Sequence, residues 1–364
     1  MAIDIRGTST VNKGAQLMLE AVVSRLGSRF ELTAAPQNSE YAIRSRLGLR
    51  QTLHDYLRPQ SSIILGNLVP SALLTRYGLV PDKSITGVVD ASGFAYGDPF
   101  ELRRIKREAI FGKSKVSSGV PIVMLPQAFG PFREPKKREW AKRVLNQANL
   151  IFARDRISED YLKGLKLDSD IVRCTDFTIG LRPEPVSSIS DAAFGIVVPN
   201  SKMISSGILT KEQYLFLLTG YMEALRAQGL AVVIMVHETG DGAFARELKG
   251  RSEATIFEHQ DPLVLKAVLG QAEFIISSRF HAVVGGLSQG IRTVALGWSH
   301  KYRELLGDFG VEQWLASVED SPVSVVTECM GDKSGLDSVE SRKVELISEV
   351  SEMWRRTEAA LGAP

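Results

Sequence analysis

Short apolar runs alternate with helix-length amphipathic segments along nearly the whole chain. Strands that are each followed by a helix pair in parallel, because a helical crossover returns the chain in its starting direction. The opening residues set the pattern. Residues 2–6 read as a strand, 7–13 as a loop and 14–26 as a helix, with Ala15, Met18, Leu19, Val22 and Leu26 at helical spacing. Further strands are expected at 61–65, 84–90, 122–125, 150–153 and 171–174. The segment 182–188 carries Pro183, Pro185, Ser187 and Ser188 and reads as a linker. After it the alternation restarts, with strands at 194–199, 231–236, 255–257, 274–278 and 292–296. Helices are expected at 211–228, 243–249 and 281–289. A last helix over 336–361 places Val339, Leu346, Val350, Met353, Trp354 and Leu361 on one face. The predicted fold is α/β, with two doubly wound Rossmann-like domains facing a cleft and a C-terminal helix. The expected divisions are 1–183, the acceptor side, 190–335, the donor side, and 336–364.

Composition narrows the function classes. The chain has 364 residues, 44% of them hydrophobic, which is enough apolar surface for two packed cores. Lys and Arg number 44 against 42 Asp and Glu, a formal balance of +2, which argues against binding nucleic acid through bulk charge. Cys174 and Cys329 are the only cysteines, so neither a disulfide framework nor a zinc ribbon is expected. Asp4 and Arg6 stand where a signal peptide needs an apolar core, and a cytoplasmic protein is expected, with the inner face of the membrane as a further location.

In open parallel sheets, ligands bind beyond the carboxyl ends of the strands, so the residues after each apolar run carry the chemistry. The run ending at Ser277-Ser278 is followed at once by Arg279-Phe280-His281, and the next strand leads to Gly297 and Lys301. Parallel strands end on one sheet edge, so Arg279, His281 and Lys301 are expected to converge on an anion such as a phosphate or carboxylate. His281 at a helix start meets a dipole that favours an anion over an imidazolium. Arg154-Asp155-Arg156 follow another strand, with Ser158 as the expected helix cap. Asp90 and Asp98 flank a Gly-containing turn suited to sugar hydroxyls or base chemistry, and Gln127 lies in a further strand-end loop. The loop 6–14 matches neither dinucleotide nor P-loop spacing, and its Asn12 reads equally as a helix cap. His237-Glu238 lacks the spacing of a metal motif, so no metal is expected.

Asn12-Lys13-Gly14-Ala15, the Asp90…Asp98 turn, Leu125-Pro126-Gln127…Gly130-Pro131, Ala153-Arg154-Asp155…Ser158, Asp176 and Ser278-Arg279-Phe280-His281 occur in this order. Together, over residues 3–310, they resemble the polysaccharide pyruvyl transferase family. Phe280 stands where that family often has Leu. The resemblance implies an architecture like the GT-B glycosyltransferases and transfer of the enolpyruvyl carbons of phosphoenolpyruvate to a sugar, forming a ketal. It implies that Arg279, His281 and Arg154 bind or activate phosphoenolpyruvate, a donor substrate used without a further cofactor. On this reading Arg279, Arg154 and Lys301 hold the donor, and Asn12, Lys13 and Gln127 are further substrate-binding candidates. His281 serves as acid, and Asp90 or Asp98 deprotonates the acceptor. Expected partners are phosphoenolpyruvate and a sugar, oligosaccharide or lipid-linked glycan, with no nucleic acid. Two alternatives stand beside it: a GT-B glycosyltransferase using a nucleotide sugar, and a non-catalytic carbohydrate-binding protein.

The small net charge hides two opposite segments. Residues 101–143 hold twelve Lys/Arg and four Asp/Glu, 12 − 4 = +8, while 304–364 hold five and thirteen, 5 − 13 = −8. The basic segment is read either as two solvated helix faces or as a contact for an anionic membrane surface or lipid-linked acceptor.

Overall fold

The computed structural model describes residues 1–36, 39–52, 69–297 and 299–362. The strand expected at 61–65 and Trp298 lie outside them. The chain forms two compact units, Met1–Phe177 with Glu349–Pro364, and Thr178–Ser348.

In the first unit β1 (Ala2–Arg6), β2 (Glu31–Ala34), β3 (Arg50–Thr52), β4 (Leu79–Val80), β5 (Ile85–Asp90), β7 (Ile122–Phe129), β8 (Leu150–Ala153) and β9 (Asp170–Arg173) lie in the order β4-β3-β2-β1-β5-β7-β8-β9. A short β6 (Phe94–Tyr96) pairs with β7, and every pairing is parallel. The winding reverses between β1 and β5. The helix α1 (Lys13–Leu26) follows β1, α2 (Leu102–Ser117) and α3 (Pro135–Leu145) flank β7 in sequence, and α4 (Arg156–Lys163) follows β8. Ile105 and Ala109 of α2, Val144 and Leu145 of α3 and Leu162 of α4 close one core over Val88, Met124 and Ile151.

In the second unit β10 (Phe194–Val198), β11 (Ala231–Val236), β12 (Thr255–Glu258), β13 (Phe274–Ser277), β14 (Arg292–Leu296) and β15 (Leu315–Ala316) lie in the parallel order β12-β11-β10-β13-β14-β15. Here the winding reverses between β10 and β13. Val232, Ile234 and Val236 enter one core and Val233 and Met235 the other. Both faces of this sheet are covered, which is why its strands read as unbroken apolar runs. The helices used below are α5 (Lys211–Ala227), α6 (Gly242–Lys249), α7 (Pro262–Leu269), α8 (Phe280–Leu287), α9 (His300–Asp308) and α10 (Lys333–Ala360).

Three expectations are revised. The strand expected at 122–125 continues to Phe129, because a register shift between Met124 and Gln127 accommodates Pro126, which has no N–H for the ladder. Gln127 therefore sits in a strand and not in a loop. The expected linker 182–188 belongs to the second unit: Gln271 accepts from Ile189 N and donates to Ser187 O at 3.2 Å each, and Val186 and Ile189 pack on a core. The C-terminal helix is not a separate appendage, because its later turns belong to the first unit. Trp354 meets Phe177 edge-on with ring centroids 5.7 Å apart, and Glu358 pairs with Arg25 and Arg29 at 2.8 and 2.9 Å. Glu349 accepts the Thr175 N–H at 2.8 Å.

Trp354→Ala is expected to cost about 3 kcal/mol in chemical denaturation, as large-to-small core changes do. Val344→Ala, at a side chain 66% exposed on the same helix, is the control and should change stability by less than about 0.5 kcal/mol. Equal effects would show that the helix end is not part of the first unit's core.

Candidate active-site residues at the two strand-order reversals

At the reversal in the first unit the chain leaves β1 through Gly7, whose φ of +75° suits glycine. A Cβ there would stand 1.8 Å from Ser92 Oγ and 2.7 Å from Ser92 Cα, so the two loops touch backbone to backbone. Asp90 ends β5 and is buried. Its Oδ1 accepts the Ser92 N–H at 2.9 Å and the Ser92 hydroxyl, and its Oδ2 accepts the Tyr96 hydroxyl at 2.7 Å. Burial raises the Asp90 carboxyl above its ordinary 3.8, although the Ser92 and Tyr96 hydrogen bonds pull it back.

The next strands bring Gln127 and Arg154 to the same edge. Gln127 has no exposure, and neither of its amide atoms finds a partner among the described residues. A buried amide left so is costly, and such groups call for an explanation. The Arg154 N–H donates to Gln127 O at 3.0 Å, and Arg154 Nη1 lies 3.3 Å from Asp176 Oδ2, with both side chains buried.

Other candidates have structural tasks. Asp155, not Ser158, caps α4: its Oδ1 accepts the Ser158 N–H at 2.7 Å, while Ser158 Oγ accepts Phe129 N–H at 2.9 Å. The extended backbone at Asp155 selects it, since a cap must lie outside the helical region. Asn12 is the exposed cap of α1, accepting Ala15 N–H at 2.9 Å, and Lys13 is buried in the first turn. Asp98 accepts the N–H groups of Arg133 and Glu134 at 2.8 and 3.2 Å, and so fixes the loop before α3.

At the reversal in the second unit, Asn200 follows β10 and Ser278 follows β13. The Asn200 amide donates to Ser278 O at 2.7 Å and ties the two loops together. Tyr214 from α5 accepts Asn200 N–H at 3.0 Å and shares a hydrogen bond of 2.6 Å with Ser278 Oγ. Burial pushes its phenol up to about 12, so it stays protonated near neutral pH. Tyr302 of α9 donates to Ser278 O at 2.7 Å.

Arg279 caps the start of α8 and is held by an acid that the sequence motifs did not single out. Its Nε and Nη2 donate to Asp241 Oδ2 at 2.9 and 2.6 Å. Asp241 is fully buried, and its Oδ1 accepts Ser201 N–H at 2.9 Å. The Arg279 side chain keeps 14% exposure, and its Nη1 has no partner among the described residues. Those N–H groups remain available to a carboxylate or phosphate. His281 is half-buried in the first turn of α8, its ring edge-on to Phe280 at 5.4 Å. Lys301 Nζ lies 5.2 Å from the Phe280 ring centroid, which brings the second cationic loop beside Arg279-Phe280-His281. The structure thus gathers Arg279, His281 and Lys301 on one edge of the second unit, and Asp90, Gln127 and Arg154 on one edge of the first. Among the described residues no three His, Cys, Asp or Glu side chains are grouped to hold a metal ion.

Two outcomes follow. Native Asp90 releases its proton at higher pH than the unfolded chain, so its stabilising contribution is complete below 3.8 and is lost as pH rises through the native value. Asp90→Asn should therefore gain stability relative to the parent as pH rises from about 4 through the native value, and a pH-independent difference would refute this. Asp241→Ala removes the buried partner of Arg279 and should cost about 3 kcal/mol in urea denaturation, with a smaller loss for Asp241→Asn.

Comparison with known proteins bears on the family and the fold. The family model described as polysaccharide pyruvyl transferase matches residues 12–300. None of the curated proteins compared matches in sequence. Among solved structures, UDP-GlcNAc 2-epimerase from Neisseria meningitidis, bound to UDP-GlcNAc, superposes with a TM-score of 0.63 at 10% identity, over 99% of each chain. A glycosyltransferase from Rickettsia africae gives 0.58 at 10% identity, over 99% of this chain and 97% of that one. UDP-GlcNAc 2-epimerase from Methanocaldococcus jannaschii gives 0.58 at 13%, over 92% and 94%. These likenesses show a GT-B-like α/β fold. The matched span takes in most of the chain and every strand-end residue discussed here except Arg6, Gly7 and Lys301, and by it the chain belongs to the polysaccharide pyruvyl transferase family.

Proposed function

We propose that the protein transfers the pyruvyl group of phosphoenolpyruvate to two hydroxyls of a sugar, in a polysaccharide or its precursor, and releases phosphate. The observation that carries this reading is Arg279, fixed by buried Asp241 at the β10/β13 reversal, with His281 in the first turn of α8 and Lys301 beside it. A fixed guanidinium suits a donor carrying both a carboxylate and a phosphate.

Protonation at the terminal methylene of phosphoenolpyruvate makes the central carbon electrophilic. A sugar hydroxyl adds to that carbon and gives up its proton. Phosphate then leaves with its bonding electron pair, and a second hydroxyl closes the ketal as it loses its proton. His281 is assigned the acid step, since imidazole exchanges protons near working pH. Arg279 and Lys301 hold the anionic groups and the developing phosphate charge. In the first unit, Arg154 and Gln127 are assigned to substrate binding. Asp90 is assigned the acceptor proton, because its raised carboxyl is a stronger base than an ordinary aspartate. Phosphoenolpyruvate is here a substrate, and no further cofactor takes part. The acceptor is a sugar, oligosaccharide or lipid-linked glycan.

Incubation with phosphoenolpyruvate and glycan intermediates of the host should release phosphate and give a product heavier by one pyruvic acid less one water. His281→Ala and Arg279→Lys should each lower phosphate release by about a hundredfold or more, the loss expected for a missing acid or a missing bidentate anion clamp. Near-parental turnover in either variant would sink the assignment. Thermal stabilisation by nucleotide sugars and not by phosphoenolpyruvate would favour glycosyl transfer. Binding of glycan without phosphate release would leave a carbohydrate-binding protein.

A further inference from the structure

The basic segment forms one surface. α2 and α3 pack side by side over the same core, with Ile105, Ala109 and Phe111 of α2 and Ala141, Val144 and Leu145 of α3 turned inward. On α2, Arg103, Arg104, Ile110 and Lys113 are exposed, and Lys106 and Arg107 are half-buried beside them. On α3, Lys136, Glu139 and Arg143 are exposed. Half-buried Trp140 joins the two, with Lys106 Nζ 5.2 Å and Arg143 Cζ 4.5 Å from its ring centroid.

Most of these charges are not neutralised within the chain. Of the twelve cations in 101–143, only Lys115, Lys137 and Arg143 have a carboxylate within ion-pair distance among the described residues. A solvated helix face ordinarily interleaves both signs, as an exposed helix with i, i+4 pairs does. Here like charges are clustered against their own repulsion, with Ile110 57% exposed among them.

We infer that the α2–α3 face is a docking surface for an anionic lipid bilayer. A face of two packed helices carrying separate cations fits a plane of headgroups. Its indole and isoleucine suit the boundary between headgroups and acyl chains, where amphipathic rings settle. No helix among the described residues is long and apolar enough to cross a membrane, so the contact is peripheral. A soluble polyanion such as nucleic acid is the less favoured occupant, because the chain as a whole is nearly neutral. Each basic residue near an anionic surface contributes enough that removing three should weaken partitioning by about a hundredfold.

The test is co-sedimentation of the full chain with vesicles of phosphatidylcholine alone or mixed with phosphatidylglycerol. Binding is expected only to the mixed vesicles, and should fall as salt rises from about 0.1 M to about 1 M and the screening length shrinks from about 10 to about 3 Å. The combined variant Arg103→Glu, Lys113→Glu, Lys136→Glu should lose it. A control with the same change in net charge, Arg182→Glu, Lys249→Glu, Lys333→Glu, should keep it. The inference is overturned if the parent fails to bind the mixed vesicles at the lower salt, if both triple variants lose binding equally, or if only soluble polyanions such as polyphosphate are bound.

Discussion

Each unit's candidate site depends on a reversal in the order in which parallel strands are laid down. Right-handed crossovers send successive helices to one face of a sheet until the winding turns back. At that point two neighbouring strands send their chains away in opposite directions, and the gap above their carboxyl ends stays uncovered. In the first unit the gap lies between Arg6 and Asp90, in the second between Val198 and Ser277. Both gaps are floored by short polar groups. Ser92 presses against Gly7 in one, and the Asn200 amide reaches Ser278 O in the other.

Cations at these edges are held rather than loose. Arg154 faces Asp176, Arg279 faces Asp241, and Arg6 lies between Asp4 and Glu108 while stacking on Phe111 at 3.6 Å. A partner carboxylate lessens the net attraction for an incoming anion. It also removes the rotamer freedom that a solvated arginine would lose on binding, and at Arg279 it leaves Nη1 without a partner among the described residues. The arrangement favours placement over raw attraction.

Much of this was legible in the sequence, because strand ends in a parallel sheet announce themselves. Arg279, His281, Arg154 and Asp90 follow apolar runs, and the structure finds each at the end of a strand or just beyond it. What was not legible depends on pairing across long separations. Asp241 is 38 residues from Arg279, and its loop drew notice only for His237-Glu238. The useful signal was that it follows β11, next to the reversal. Gln127 was misplaced because Pro126 suggested a break, whereas a register shift carries the strand past it. Ser158 and Asp155 both suit a helix cap, and only backbone conformation separates them. Pro183 and Pro185 likewise mark an irregular segment without saying which core it lies on. Gln271, far along the chain, decides that through its hydrogen bonds.

The division of the chain also bears on its synthesis. The first unit is built from Met1–Phe177 and the segment from Glu349 on, with the second unit inserted between them. Domains fold largely as units while the chain is made. The second unit is therefore complete in sequence while the first still lacks Trp354 and the acid that anchors Arg25 and Arg29. Until those residues emerge, Phe177 lacks its edge-on contact with Trp354, and Arg25 and Arg29 lack the Glu358 carboxylate. The unit that opens the described chain is therefore the last of the two to be completed.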